Sequence, residues 1–307
     1  MTDERSSGAS RRISDNNVGM ILVLTSATLF GTTGTALAQV PGRVDPWSAG
    51  VLRLLIGGGA LAVLARRDRA RLASVRTEVG LGAMAVAVYQ LGFFWSVTET
   101  GVATGTLVTI GISPIASRLL GSLLGRPSPP KSWYLAAVLL VGGLVVLVLG
   151  GYEDVEIRPV GIIAAVVAGA AFAAYTECGS RALDRGATPD LTMAALFFGA
   201  GLLTSPLLLW RGVDILSTAR GALVLAHLSL ITLTVAYVAF GRGLRRLPPT
   251  IVTMLTIAEP VVATALSFLI LHEEISPVGW LGASIVVLGL PVVALASRDS
   301  ASGQPDG

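Results

Sequence analysis

Long apolar runs, parted by short polar segments, dominate the chain. Ten of them read as membrane spans, at roughly 19–38, 47–65, 79–98, 102–124, 132–150, 159–178, 191–210, 222–240, 250–271 and 278–296. A helix rising 1.5 Å per residue needs about 20 residues to cross a hydrocarbon core of about 30 Å. Lipid offers no partner to an open strand edge, so these runs predict helices. The intervening segments leave no room for a soluble domain. The expected fold class is an all-α integral membrane protein with ten transmembrane helices. The polar tails, residues 1–17 and 297–307, are expected to stay unfolded.

Breaking and polar residues recur inside the apolar background. Shifted by 146 positions, Thr104 falls on Thr250, Pro114 on Pro260, Leu120 on Leu266 and Leu123 on Leu269. One inserted residue later, Trp133 meets Trp280, Ala136 meets Ala283 and Gly142 meets Gly289. Val18-Gly19 and Phe30 match Val160-Gly161 and Phe172 at a shift of 142. The chain therefore divides into repeats of five spans, 18–150 and 159–296. Five is odd, so the second repeat inserts upside down relative to the first. Inverted repeats with a site between them at mid-membrane are an architecture of secondary transporters.

Charge supports this. Only 13% of the 307 residues are charged and 53% are hydrophobic, where a soluble domain carries about 25% charge; the mean hydropathy is +0.75. With the N-terminus placed in the cytoplasm, sixteen basic residues fall in cytoplasmic segments, among them Arg66, Arg67, Arg69, Arg71, Arg126, Lys131, Arg185 and Arg246. Four fall outside: Arg43, Arg158, Arg211 and Arg220. This positive-inside bias holds in both halves and predicts a multi-pass protein of the cytoplasmic membrane with both termini inside. Its basic loops suit anionic lipid headgroups rather than nucleic acid. Arg11-Arg12, the apolar run after them and Ala36-Leu37-Ala38 imitate a signal peptide, but the run is long and cleavage would destroy the five-plus-five symmetry. Trp47, Trp133, Trp210 and Trp280 sit at span ends, as interface anchors do, and Trp95 reads as anchor or cavity wall.

Enzyme chemistry finds little to work with. Lys131 is the only lysine and no Gly-rich loop precedes it, so a phosphate-binding cradle for ATP is missing. His227, His272 and Cys178 assemble no metal site at recognised spacing, and no cofactor is expected. Both histidines lie toward the outer ends of their spans and read as interfacial hydrogen-bonding groups.

What remains are polar groups inside spans, each costly unless it faces protein or water. Thr25, Thr28, Thr32 and Thr35 form one stripe on span 1, and Thr106, Thr109, Ser113 and Ser117 another on span 4. Thr250, Thr253, Thr264 and Ser267 share roughly one face of span 9, with Thr256 next to the proline kink. Such stripes either pack helices closely or line a cavity. Tyr89 and Gln90 lie mid-span 3, Tyr175 in span 6 and Tyr237 in span 8. From these groups the expected substrate-binding set is Thr32, Tyr89, Gln90, Thr109, Tyr175, Tyr237, Thr253 and Thr256. Pro114 and Pro260 sit mid-span at matching positions, where the carbonyls of Ile110 and Thr256 lose their helical partners. Four charges lie within spans. Glu259 is beside the second proline, Arg53 two turns into span 2, Arg118 where it can snorkel, and Glu177 where Arg181 at i+4 can pair with it. Glu259, Pro114, Pro260 and Arg53 are the expected coupling or gating groups, with Glu259 able to bind a proton.

Asp45-Pro46 followed by Arg53, and Ala258-Glu259-Pro260-Val261-Val262-Ala263 through Leu271-His272-Glu273-Glu274-Ile275-Ser276-Pro277 to Gly282, resemble EamA-type permeases of the drug/metabolite transporter superfamily. The resemblance covers residues 18–296. It departs where His272 stands for a usual Gly, where Ser113 replaces the acid before Pro114, and where Gly125-Arg126-Pro127-Ser128 replaces a Gly-Glu turn. It implies that spans 1–4 and 6–9 surround a cavity, with spans 5 and 10 peripheral. It also implies efflux of amino acids or related small metabolites. A lipid-linked carrier flippase of the same architecture and a non-transporting membrane subunit are the other readings.

Overall fold

A computed structural model describes residues 2–40, 44–151 and 158–302. Regular structure among them is helical throughout. In order come α1 (Thr2–Leu37), α2 (Pro46–Leu64), a 3-10 segment (Ala65–Val75) and α3 (Arg76–Leu123). Then follow α4 (Lys131–Gly151), α5 (Pro159–Asp184), α6 (Pro189–Thr204) and the short α7 (Leu208–Arg211). After α8 (Ala219–Ala226) runs a π-helical stretch (His227–Val235), then α9 (Ala236–Leu244), α10 (Pro249–Leu255) and α11 (Ala258–Leu266). A second π stretch (Ser267–Leu271) leads to α12 (Pro277–Ser302).

The helix starts follow from local chemistry. Pro46, Pro159, Pro189 and Pro249 stand in first turns, where the missing N–H costs nothing. Asp45 caps α2 by accepting the Ser48 N–H at 2.9 Å, and the Thr188 hydroxyl caps α6. α1 reaches back to Thr2, so the tail expected to be unfolded continues the first helix, and α12 likewise runs past the expected span end to Ser302. Residues 2–17 hold one glycine and no proline, so nothing there stops a helix already nucleated by the apolar run.

Eight helical stretches among the described residues are long and apolar enough to cross a membrane. One of them, Pro46–Leu123, is 78 residues long and takes in three of the expected spans. Straight, it would measure roughly 120 Å, several times a bilayer's apolar thickness. It changes course at the 3-10 segment and at Gly101, whose φ of 79° and ψ of 164° leave the helix. Only glycine takes that backbone readily.

Packing is reciprocal between the two halves. α5 lies along both parts of α3, before and after Gly101, while α1 lies along α9 and α11. α2 packs on α6, and α4 packs chiefly on α12. Close approach needs positions without side chains: a Cβ at Gly169 of α5 would run into Ile112 and the Thr109 carbonyl, and one at Gly282 of α12 into the Leu147 backbone. The start of α1 and the end of α12 share a face of the bundle, since Asn16 donates to both the carbonyl and the hydroxyl of Ser297 at 3.2 Å. We call this the terminal face and the opposite one the distal face. Trp133 is not an interface anchor: it is buried, and its indole N–H donates to the Thr250 carbonyl of α10 at 3.4 Å. Trp95, Trp210 and Trp280 are exposed, and Arg211 stands over the Trp47 ring.

Candidate functional site

Arg53 owes its position to two glycines. Gly50, one turn before it, abuts Gln90 and Phe94 of α3; Gly57, one turn after, abuts the Ser229 carbonyl and Leu233 of the first π stretch. Residues at i−3 and i+4 share a helix face, so the Arg53 side chain leaves α2 between α3 and the π stretch. Its Nε is buried without a hydrogen-bond partner. No carboxylate among the described residues comes within ion-pair distance of it.

Glu259 enters from the first turn of α11, half-buried. Its backbone N–H reaches the Thr256 carbonyl at 2.9 Å, the group that Pro260 leaves without its helical donor. Thr256 and Ile257 fall out of the helix, so α10 and α11 are separate pieces. Arg53 and Glu259 are near enough to act on each other electrostatically, and both act on the hydroxyls of Tyr89 and Tyr237. Arg53 of α2 and Glu259 of α11 thus share one electrostatic neighbourhood with Tyr89 and Tyr237, and among the described residues they form no ion pair.

Aromatic rings enclose this centre. Tyr89 contacts Phe93, Phe172 and Tyr175. Tyr237 contacts Phe30, Phe197 and Phe240. The Tyr175 and Tyr237 hydroxyls share a hydrogen bond of 3.2 Å. Two of the contacts mirror each other: Phe30 meets Tyr237 at 4.9 Å and Phe172 meets Tyr89 at 5.7 Å between ring centroids. Phe30 and Phe172 match in the sequence repeat, yet neither was chosen as a site residue. That match was the signal that could have found them. Toward the distal face, Thr32 shares a 2.9 Å hydrogen bond with His227 Nε2.

The other expected residues make contacts of their own. The Thr109 hydroxyl donates to the Ala165 carbonyl at 3.3 Å, joining α3 to α5. Gln90 is buried against Gly50. The hydroxyls of Thr253 and Thr256 are spent on carbonyls of their own helix. Thr25 and Thr28 are exposed, bonded to the Ile21 and Leu24 carbonyls. They point away from Phe30, so the span 1 stripe is not one lining surface. Helix α3 also runs unbroken through Pro114, where the Ser113 hydroxyl reaches the Ile110 carbonyl at 2.8 Å. Glu177 does not pair chiefly with Arg181. Arg126 holds it at 2.7 Å and Arg181 lies at 3.4 Å, because the turn after α3 folds onto α5.

Residues 17–149 and 159–295 each match the EamA-like transporter family. The chain belongs to this family. It is 36% identical to the "Uncharacterized transporter YwfM" of Bacillus subtilis, over 92% of this chain and 95% of that one. It is 24% identical to the "Uncharacterized inner membrane transporter YicL" of Salmonella typhimurium, over 91% and 96%. A solved crystal structure with 20% identity superposes at a TM-score of 0.77, over 92% of this chain and 98% of the other.

In this EamA-like chain the terminal face is tied together by charge. Besides Glu177, Arg126 bonds the Ser180 hydroxyl at 3.1 Å and approaches Asp184 at 3.6 Å. Arg185 holds the buried Glu78 at 2.7 Å. Both ties join α3 to α5. Beside them lies a cavity of about 370 Å³, lined in part by Arg118, Arg126, Ser128, Glu177 and Thr250. Arg118 donates there to the Ser128 hydroxyl. At the distal face Arg158 approaches Glu99 at 3.6 Å and Arg211 approaches Asp45 at 3.4 Å.

Proposed function

We propose that the chain is a secondary transporter that exports or exchanges small metabolites, amino acids or related compounds, across the cytoplasmic membrane. The observation that carries this reading is the Arg53–Glu259 centre. Two opposite charges that form no ion pair with each other among the described residues, in one electrostatic neighbourhood with tyrosines of both halves, suit a small polar or zwitterionic solute. Charges kept within a membrane domain at this cost serve function by default. The absence of an ATP cradle in the sequence fits a carrier driven by gradients.

Ten spans arranged as two inverted repeats accommodate the helical stretches, since the 78-residue one has two changes of course. The mirrored Phe30–Tyr237 and Phe172–Tyr89 contacts, and the lengthwise match of α1 on α9 and α11 to α5 on α3, support that symmetry. The terminal face is the cytoplasmic one by its arginines. Alternating access then means parting the α3–α5 ties at the cytoplasmic face while the distal contacts close around the centre. The Glu259 carboxyl, which carries no hydrogen bond among the described residues, is the group that takes up the coupling proton. Thr32, Tyr89, Tyr175 and Tyr237 bound the solute path.

The test is counterflow in liposomes holding the purified protein, with a panel of labelled amino acids, nucleosides and sugars. Exchange without ATP is expected; uptake seen only with ATP sinks the reading. Orientation is checked in intact cells by cysteines placed at Ser74 and Ser217. An impermeant thiol reagent should label only the second.

A further inference from the structure

Among the described residues Arg53 forms no ion pair. Its Nε is sealed from solvent without an acceptor, while its terminal nitrogens stay accessible in the half-buried residue. The nearby acids are otherwise placed. Asp45, two turns away on the same helix, caps α2 and meets Arg211. Glu259 faces Arg53 but stays beyond ion-pair distance. A guanidinium held in a protein interior without an anion is costly, and removing an unpaired buried charge relieves that cost. A structural arginine would have an acceptor; this one leaves α2 between α3 and the first π stretch with none for its Nε among the described residues.

We propose that Arg53 is the specificity-determining anchor of the central site: it receives the carboxylate of the solute, so that only carboxylate-bearing amines are carried. The proposal rests on the reading of the centre as a transport site. Guanidinium and carboxylate are matched planar groups that join through two parallel N–H to O bonds. A zwitterion held this way neutralises the guanidinium with its carboxylate and leaves the Glu259 carboxyl free to exchange its proton. Its side chain then lies along Phe30, Tyr89 and Phe93. A carboxamide in place of the carboxylate presents an N–H₂ to the Arg53 fork and leaves the guanidinium uncompensated.

The test uses the full-length protein in liposomes and pairs each amino acid with its carboxamide. Wild type should exchange the acids at least about tenfold faster than the amides, a factor equal to about 1.4 kcal/mol. Arg53→Gln should erase that preference. A second measurement needs no transport: acetate, against chloride at equal ionic strength, should raise the melting temperature of the wild type and not that of Arg53→Gln. Without solute, Arg53→Gln should melt no lower than wild type. An undiminished acid preference in Arg53→Gln, or a lowered melting temperature without solute, overturns the anchor. If wild type moves neither acids nor amides, the transport reading fails. The acetate comparison then decides the anchor alone: a shift lost in Arg53→Gln supports it, and an equal shift in both proteins overturns it.

Discussion

Pro114 and Pro260 occupy matching places in the two halves, yet the backbones around them differ. In the first half the residue before the proline is Ser113. Its hydroxyl supplies the donor that the Ile110 carbonyl lost, and α3 continues. In the second half the same place holds Glu259, whose carboxylate has no proton to give a carbonyl. The backbone adapts instead: the Glu259 N–H turns to Thr256, and Thr256 and Ile257 leave the helix. A second pair differs in the same sense. Gly125 (φ 74°) and His272 (φ 57°) both end helices in the left-handed region. Arg126, after the first, crosses to α5; Glu273, after the second, stays with Ser267 of its own half. Identical backbone requirements were met by hydroxyl and glycine on one side, and by an acid and a strained histidine on the other. The first half holds shape, and the second keeps an acid at the centre and a break beside it.

The largest expected effect separates the two prolines by function. Glu259→Gln should leave abundance and solute exchange in place and remove net flux driven by a pH gradient. Ser113→Ala should leave gradient-driven flux intact. Unchanged gradient-driven flux in well-folded Glu259→Gln would end the coupling role. Next come the two turns. Arg126→Ala should cost about 1–3 kcal/mol in thermal unfolding, because buried Glu177 keeps only the longer contact to Arg181. Glu273→Ala, at an exposed site, should stay within about 0.5 kcal/mol. Equal losses would show that the asymmetry of the faces carries no energy. Ser113→Ala should itself cost about 1 kcal/mol, as the Ile110 carbonyl loses its donor; no loss would mean that another donor serves it. Smallest is His272→Gly, expected to stabilise by somewhat under 1 kcal/mol by relieving the left-handed backbone, with Gly125→His destabilising in return.

The all-helical, membrane-embedded class was legible because it rests on length and apolar content alone. The expected end of span 9 at residue 271 coincides with the end of the second π stretch, Ser267–Leu271. Arg53, Glu259, Tyr89, Tyr175 and Tyr237 stand out in the sequence because charge and hydroxyls inside a span are costly wherever they point, and the structure brings Tyr89, Tyr175 and Tyr237 into one cluster. The threonines could not be sorted the same way. A threonine hydroxyl can satisfy itself on its own helix, as Thr28 and Thr253 do, so its presence carries no direction. Glu177 was assigned the partner nearest in sequence, Arg181. Its shorter tie comes from Arg126, whose approach depends on how a turn 51 residues earlier folds back. The unbroken helix at Pro114 needed the rotamer of Ser113, which no spacing rule contains.

Gly169 and Gly282 bear on how such a chain can change over generations. Where two backbones touch, what descent must preserve is a blank, a position with no side chain at all. Lipid-facing sites such as Leu119, Leu123, Val138 and Leu288 impose no such demand. They can wander among apolar residues indefinitely while the blanks stay fixed. A protein built this way diverges far in its letters before it diverges in its shape, and a relative 24% identical across 91% of the chain is within that range.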